Sequence, residues 1–213
     1  DIRLREYATD TKQYKTAYGT LPTSTRVGYT FAGWYTGETD GIRVTDTTTI
    51  TNTNEHTLYG HWTANTYTIN YYTYDGKTKL GSSTHTYDSA KALTTMATLK
   101  GTAPNSNVTF YGWAASANST SRVYTDGQSV TNLTATSGGT INLYAIYRSA
   151  AVTITYKSGL KEATTSTSST VYYYNAATSV SITTATPATI GGWNAQGWKT
   201  DTAAAAGSIK INT

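Results

Sequence analysis

Gly28-Tyr29-Thr30-Phe31-Ala32-Gly33-Trp34 recurs in this chain as Asn107-Val108-Thr109-Phe110-Tyr111-Gly112-Trp113 and again as Gly192-Trp193-Asn194-Ala195-Gln196-Gly197-Trp198. Each copy reads as a strand of large side chains that ends in Gly-Trp. The copies are spaced by about 80 residues, too long for a stacked solenoid unit and just long enough for a small domain with its own core. The period therefore divides the 213 residues into three modules, 1–64, 65–148 and 149–213.

At period two, Tyr29, Phe31 and Gly33 share one face of the strand while Trp34 points the other way. A β-bulge at Gly33 would shift the phase by one residue and turn Trp34 into the core beside Phe31. The alternative is that Trp34 packs on the far face against a loop. That Gly precedes Trp in all three copies favours the bulge.

Composition agrees with a mainly β fold, α+β at most. Threonine is the commonest residue and tyrosine is used 19 times, and both suit pleated, half-buried surfaces. Charged residues make up 13% of the chain and the net charge is +4. The basic residues are scattered rather than clustered, which argues against a nucleic-acid partner. Cysteine is absent, so there is neither a disulfide scaffold nor a thiol nucleophile. No apolar run is long enough to span a membrane as a helix. The chain opens on Asp1 with no signal peptide, as expected of a fragment or processed form of a longer protein.

Around the organising strand, the first module reads as strands at Ile2–Arg5 and Tyr14–Tyr18, a break at Leu21-Pro22, and an Asp40-Gly41 hairpin leading to alternating Ile42 and Val44. Leu58-Tyr59-Gly60-His61-Trp62 closes it, with Leu58 and Trp62 on one face and Tyr59 and His61 on the other. In the second module, Tyr67, Ile69 and Tyr71 alternate with polar residues. Asp75-Gly76 turns the chain into a strand ending near Tyr87. Leu143-Tyr144-Ala145-Ile146-Tyr147 then matches the closing strand, with Tyr147 in the place of Trp62. Ser89–Leu99 carries a helical pattern, with Ser89 as cap and Leu93, Met96 and Leu99 near one face. The matching region elsewhere is loop-like, so helix and loop both stand. The third module opens at Val152–Tyr156, continues through Val171–Tyr174 to Gly197-Trp198 and Gly207–Ile211, and lacks the closing strand. Adjacent modules are joined by only a few residues, which predicts an extended, semi-rigid row.

Tyr18-Gly19-Thr20-Leu21-Pro22, the Gly28–Tyr35 strand and Thr57-Leu58-Tyr59-Gly60-His61-Trp62 occur in an order that resembles the Listeria–Bacteroides repeat, the B-repeat type found in internalin B and many bacterial surface proteins. The second module keeps Phe-x-Gly-Trp and Leu-Tyr but loses Leu-Pro and the final Trp. The third keeps Gly-Trp and the opening strand. The resemblance implies a β-grasp-like fold for each module, a secreted or surface-attached bacterial protein, and spacer or adhesive repeats rather than enzymes. It carries over no catalytic residues. Gly33, Trp34, Leu58, Tyr59, Trp62, Gly112, Trp113, Leu143, Tyr144, Gly197 and Trp198 then read as fold determinants.

No reactive constellation competes with that reading. His56 and His61 straddle a strand and do not form a metal pair, and His85 stands alone on a Thr-rich strand, so all three read as structural. Asp40, Asp75 and Asp126 each precede glycine, which is turn chemistry rather than a calcium loop. No Gly-x-Ser-x-Gly elbow is present. The three Asn-x-Ser/Thr matches at Asn107, Asn118 and Asn132 arise by chance in so Thr-rich a chain. The expectation is a non-enzyme without catalytic residues, metal or cofactor. The leading function is a stalk segment of a bacterial surface or secreted protein, its partners the neighbouring domains of the same longer chain. A second is an adhesin module that binds a host or surface glycan or protein through Tyr72, Tyr74 and Tyr173. The alternative for those rings is cross-strand pairing within the sheet. A third is self-association, a neighbour donating a strand to an open sheet edge of module 3.

Overall fold

The computed structural model describes residues 8–157 and 166–177. The readings at Ile2–Arg5, Gly192–Trp198 and Gly207–Ile211, and with them the missing strand and open edge of the third module, lie outside the described residues. The architecture is mainly β, with several sheets and a single four-residue helix among the described residues. A three-stranded sheet has the order β2-β1-β3, built from β1 (Tyr29–Tyr35), β2 (Arg43–Val44) and β3 (Tyr59–Ala64). A four-stranded sheet has the order β5-β4-β9-β7. Its members are β4 (Thr66–Tyr72), β5 (Lys79–Thr86), β7 (Val108–Ala114) and β9 (Thr140–Ser149). Two small ribbons pair β6 (Lys91–Ala92) with β8 (Ser129–Val130) and β10 (Val152–Lys157) with β11 (Ser166–Val171).

The chain divides into two compact units. Of the described residues, one takes 8–69, Ser83–Ala92 and Ser129–Ile141; the other takes Asn70–Ser82, Leu93–Gln128, 142–157 and 166–177.

In the first unit, β1 runs antiparallel to β3 with Phe31 opposite Trp62, and the register slips between Phe31 and Gly33. That slip is the bulge. Gly33 takes φ +122°, a backbone that a side chain would oppose, and the Trp34 ring then meets Phe31 at 5.4 Å. Phe31 also packs on Trp62 at 4.9 Å. All three rings are half-buried. On the opposite face of β3, His61 stacks on Tyr35 at 4.0 Å and its Nε2 donates to the Gly37 carbonyl at 2.9 Å.

The second unit repeats this construction with deeper burial. Phe110 faces Tyr147, the register slips between Phe110 and Gly112, and Gly112 takes φ +145°. Trp113 has no exposed surface and packs between Tyr71 at 5.0 Å and Phe110 at 5.1 Å. Leu143, Ala145, Ile146 and Tyr147 are buried around it. On β4, whose residues up to Ile69 belong to the first unit, Tyr67, Ile69 and Tyr71 are buried and alternate with half-buried Thr68 and Asn70, as the period-two pattern requires.

Several expectations are corrected. Tyr14–Tyr18 is not a strand: Lys15 takes φ +64°, and Ala17 makes an isolated bridge to Thr49. Ile42 is exposed while Val44 is buried, because only Arg43 and Val44 pair with β1. The helix α1 spans Met96–Leu99 and is capped by Thr95, whose side chain accepts from Thr98 N–H. Ser89 is not its cap, because Lys91 and Ala92 are taken by pairing with β8. Asp126, read as a turn former, also accepts the Met96 N–H at 2.9 Å. Strand β11 ends at Val171, and Tyr174 makes only a bridge to Arg148. One feature recurs unannounced by the sequence: Lys15, Asp88 and Asn175 each follow a tyrosine and each take a left-handed φ, of +64°, +57° and +54°.

Candidate functional site

Within the first unit a polar corner ties the start of β1 to residues distant in sequence. Only Asn65 lies between the end of β3 at Ala64 and the start of β4 at Thr66, and every polar group it carries is used. Its N–H donates to Gly28 O at 2.8 Å, and its carbonyl accepts from Tyr87 N at 2.8 Å. Its side chain accepts from Thr30 Oγ1 at 2.6 Å and donates to Ala135 O at 2.8 Å. Beside it, the Tyr29 hydroxyl donates to Asp88 at 2.8 Å, and Asp88 and Asn132 exchange two hydrogen bonds of 2.6 Å. Hydrogen bonds from Asn132 and then Tyr29 hold the Asp88 carboxyl below the usual carboxylate range. The same contact to Asp88 raises the Tyr29 phenol. Arg26 lies over the Tyr29 ring at 3.6 Å, and Tyr87 meets that ring edge-on at 5.9 Å. Gly28 is buried so close to Tyr87 that a Cβ there would sit 2.2 Å from the ring.

Within the second unit the corresponding strands carry a different cluster. Tyr111 on β7 holds Arg122 at 4.1 Å and Arg148 of β9 at 3.9 Å from its ring centre. The Arg148 guanidinium also lies 4.3 Å from the Tyr172 ring. Guanidinium stacking of this kind is favourable and leaves the in-plane N–H donors available. Arg122 uses one donor on Tyr111 O at 3.1 Å. Arg148 alternates outward on β9 because its strand neighbours Tyr147 and Ser149 face inward and are buried. Asn175 fastens the same end of the strand: its N–H donates to Tyr147 O at 2.9 Å and its side chain accepts from Tyr147 N at 3.0 Å.

The three tyrosines named as possible ligand-facing residues lie in separate surroundings. Tyr72 is half-buried and stacked on Tyr144 at 5.6 Å, which is the cross-strand pairing alternative. Tyr74 is half-buried and its carbonyl accepts from Asn118 N at 2.7 Å. Tyr173 is half-buried and its backbone pairs with Ser149. The ring contacts do not join these three to one another. Sequence reasoning missed Tyr111 and Arg148, and of the Tyr172-Tyr173-Tyr174 run it favoured Tyr173 over Tyr172, because nothing in a period-two pattern places residues so far apart against one ring.

Of the signature residues, Gly33 and Gly112 form the two bulges and Leu143 is buried. Leu58, Tyr59, Trp62 and Tyr144 are half-buried. Gly197 and Trp198 lie outside the described residues. His56 accepts the Tyr18 hydroxyl through Nε2 while Nδ1 donates to Asn54 O at 3.0 Å. His85 is buried rather than exposed, stacked near Tyr67 at 5.6 Å, with Nε2 hydrogen-bonded to Ser83 Oγ at 3.0 Å. Its Nδ1 has no hydrogen-bond partner among the described residues, and burial lowers its pKa, with Lys91 adding to the effect. Among the described residues no group of three or more His, Asp or Glu side chains is placed to hold a metal ion. Among them, too, no helix is long and apolar enough to cross a membrane.

Residues 5–61 match the Listeria-Bacteroides repeat domain, a repeat of bacterial surface proteins that is typically non-catalytic. No curated protein and no solved structure shows significant similarity to the chain.

Proposed function

We propose that this chain, whose residues 5–61 are a Listeria-Bacteroides repeat, is a stalk segment that holds another domain of the same longer protein away from a bacterial surface. On this reading it comprises three β-grasp-like modules, 1–64, 65–148 and 149–213, strung in an extended row, extracellular and without catalytic activity. The observation that carries the reading is the corner at Asn65. A single residue separates β3 from β4, and its backbone and side chain are both pinned, to Gly28, Thr30, Tyr87 and Ala135. A join so short and so fully bonded behaves as a stiff hinge-free connection rather than a flexible tether.

X-ray scattering of the chain tests it. A single globule of this length has a radius of gyration near ~17 Å. A row gives a clearly larger value, and the smaller one removes the stalk. Excision of the whole 213-residue segment from the parent protein shortens its reach and leaves recognition by the distal domain intact. Loss of recognition on excision counts instead for an adhesive module.

A further inference from the structure

We infer that the Arg148 cleft of the second unit is a binding site for a carboxylated saccharide. An open cleft of about 500 Å³ is lined by Asn107, Thr109, Tyr111, Arg148, Ser149 and Tyr172, among others. Its one charged lining residue is Arg148, and no acidic side chain lines it among the described residues. Stacking against Tyr111 and Tyr172, at 3.9 and 4.3 Å, fixes the plane of the guanidinium. Among the described residues it forms neither an ion pair nor a hydrogen bond to a protein acceptor, so its fork of donors is free for a ligand. A planar, pre-oriented fork matches a carboxylate in bidentate fashion. Apart from the methyl groups of Ala150 and Ala151, the rest of the lining is hydroxyl, amide and aromatic, which is the chemistry that takes up sugar hydroxyls and ring C–H faces.

Thr109 stands opposite Arg148 in the strand register, which supplies a clean control. Thr109→Glu places a carboxylate across from the guanidinium and competes with any ligand for it, while leaving Tyr111 and Tyr172 unchanged in sequence. The full chain is titrated with a galacturonic acid trimer, followed by nitrogen-resolved NMR. Maltotriose serves as the neutral trimer and a Glu-rich peptide as the protein-like probe.

Saturable shifts at Arg148 and its neighbours with the acidic trimer, absent with maltotriose, are expected. Arg148→Gln weakens the interaction tenfold or more, on the order of a lost charge-assisted hydrogen bond pair. Thr109→Glu does the same. If Arg148→Gln fails to fold, Thr109→Glu decides alone. No shift at millimolar trimer, undiminished affinity in Thr109→Glu, or tighter binding of the peptide than of the trimer each overturn the inference. The site is independent of the stalk reading: scattering from a row without sugar binding removes this inference only, and a compact particle that binds the sugar removes the stalk only.

Discussion

The indole N–H of Trp34 donates a 2.7 Å hydrogen bond to the carbonyl of Pro22. The equivalent N–H of Trp113 is buried without an acceptor among the described residues. The loop ahead of the strand differs in length: Pro22 precedes Trp34 by 12 residues, whereas Pro104 of the matching Gly101-Thr102-Ala103-Pro104 segment stands only about nine residues ahead of Trp113. A buried, unpaired N–H costs about 1–3 kcal/mol. Trp113 is retained in spite of that because its ring fills the space between Tyr71 and Phe110.

Trp113→Ala is therefore expected to destabilise the protein by about 3–5 kcal/mol, the range for a large buried aromatic. Trp34→Ala costs less, since the Trp34 ring is half-buried and leaves no closed cavity. Denaturant midpoints of the two variants give the ranking, and a larger loss at Trp34 would contradict Trp113 as the core anchor.

The two bulge glycines differ in what surrounds them. A Cβ on Gly112 would lie 2.4 Å from the Tyr124 carbonyl oxygen, which is backbone and cannot yield. A Cβ on Gly33 would lie 2.9 Å from the mobile side chain of Arg43. Both alanines suffer from positive φ, at roughly 1–2 kcal/mol. Gly112→Ala is expected to be the more damaging of the pair in thermal melts. Equal losses would mean that backbone strain alone governs both positions.

Gly28→Ala combines a φ of +77° with collision against the Tyr87 ring. In a Tyr87→Ala background only the conformational part of that penalty persists. A double-mutant cycle is expected to return a coupling of about 1 kcal/mol or more. Additive effects would show that the ring yields freely and that the corner at Asn65 is looser than its hydrogen bonds suggest.

His85 links folding to acidity. Burial lowers its pKa from the ordinary 6.5, so the unfolded chain binds a proton that the folded chain refuses. Stability from this group is complete above about pH 6.5 and is lost as pH falls through the lowered folded value. Lys91 is the charged group that adds to the shift. Urea midpoints at pH 7.5 and pH 5 are expected to separate more for the wild type than for His85→Phe. An identical pH response in the two proteins would remove His85 as the source.

What could be read from the sequence was whatever a local pattern encodes. The recurring Gly-Trp announced the bulges, and the alternation of Tyr67, Ile69 and Tyr71 announced their burial. Ser89 misled because a good capping residue was followed by Lys91 and Ala92, whose pairing with Val130 and Ser129 outweighs local propensity. Thr95, with its extended backbone, took the cap instead. The Arg148 stack and the Asp88–Asn132 pair join residues tens of positions apart, and no spacing rule relates an arginine to a tyrosine on another strand. His85 reads from the sequence as an exposed or hydrogen-bonded structural histidine, and its bond to Ser83 settles which; its depth of burial has no local signal in so Thr-rich a strand.

The left-handed residue after tyrosine at Lys15, Asp88 and Asn175 acts as a second ruler laid along the chain. Lysine, aspartate and asparagine all take this backbone corner here, so it depends less on side-chain identity than the Gly-Trp pair does. Worn copies of the unit in other polypeptides should be traceable by that bend when their glycine–indole mark has faded.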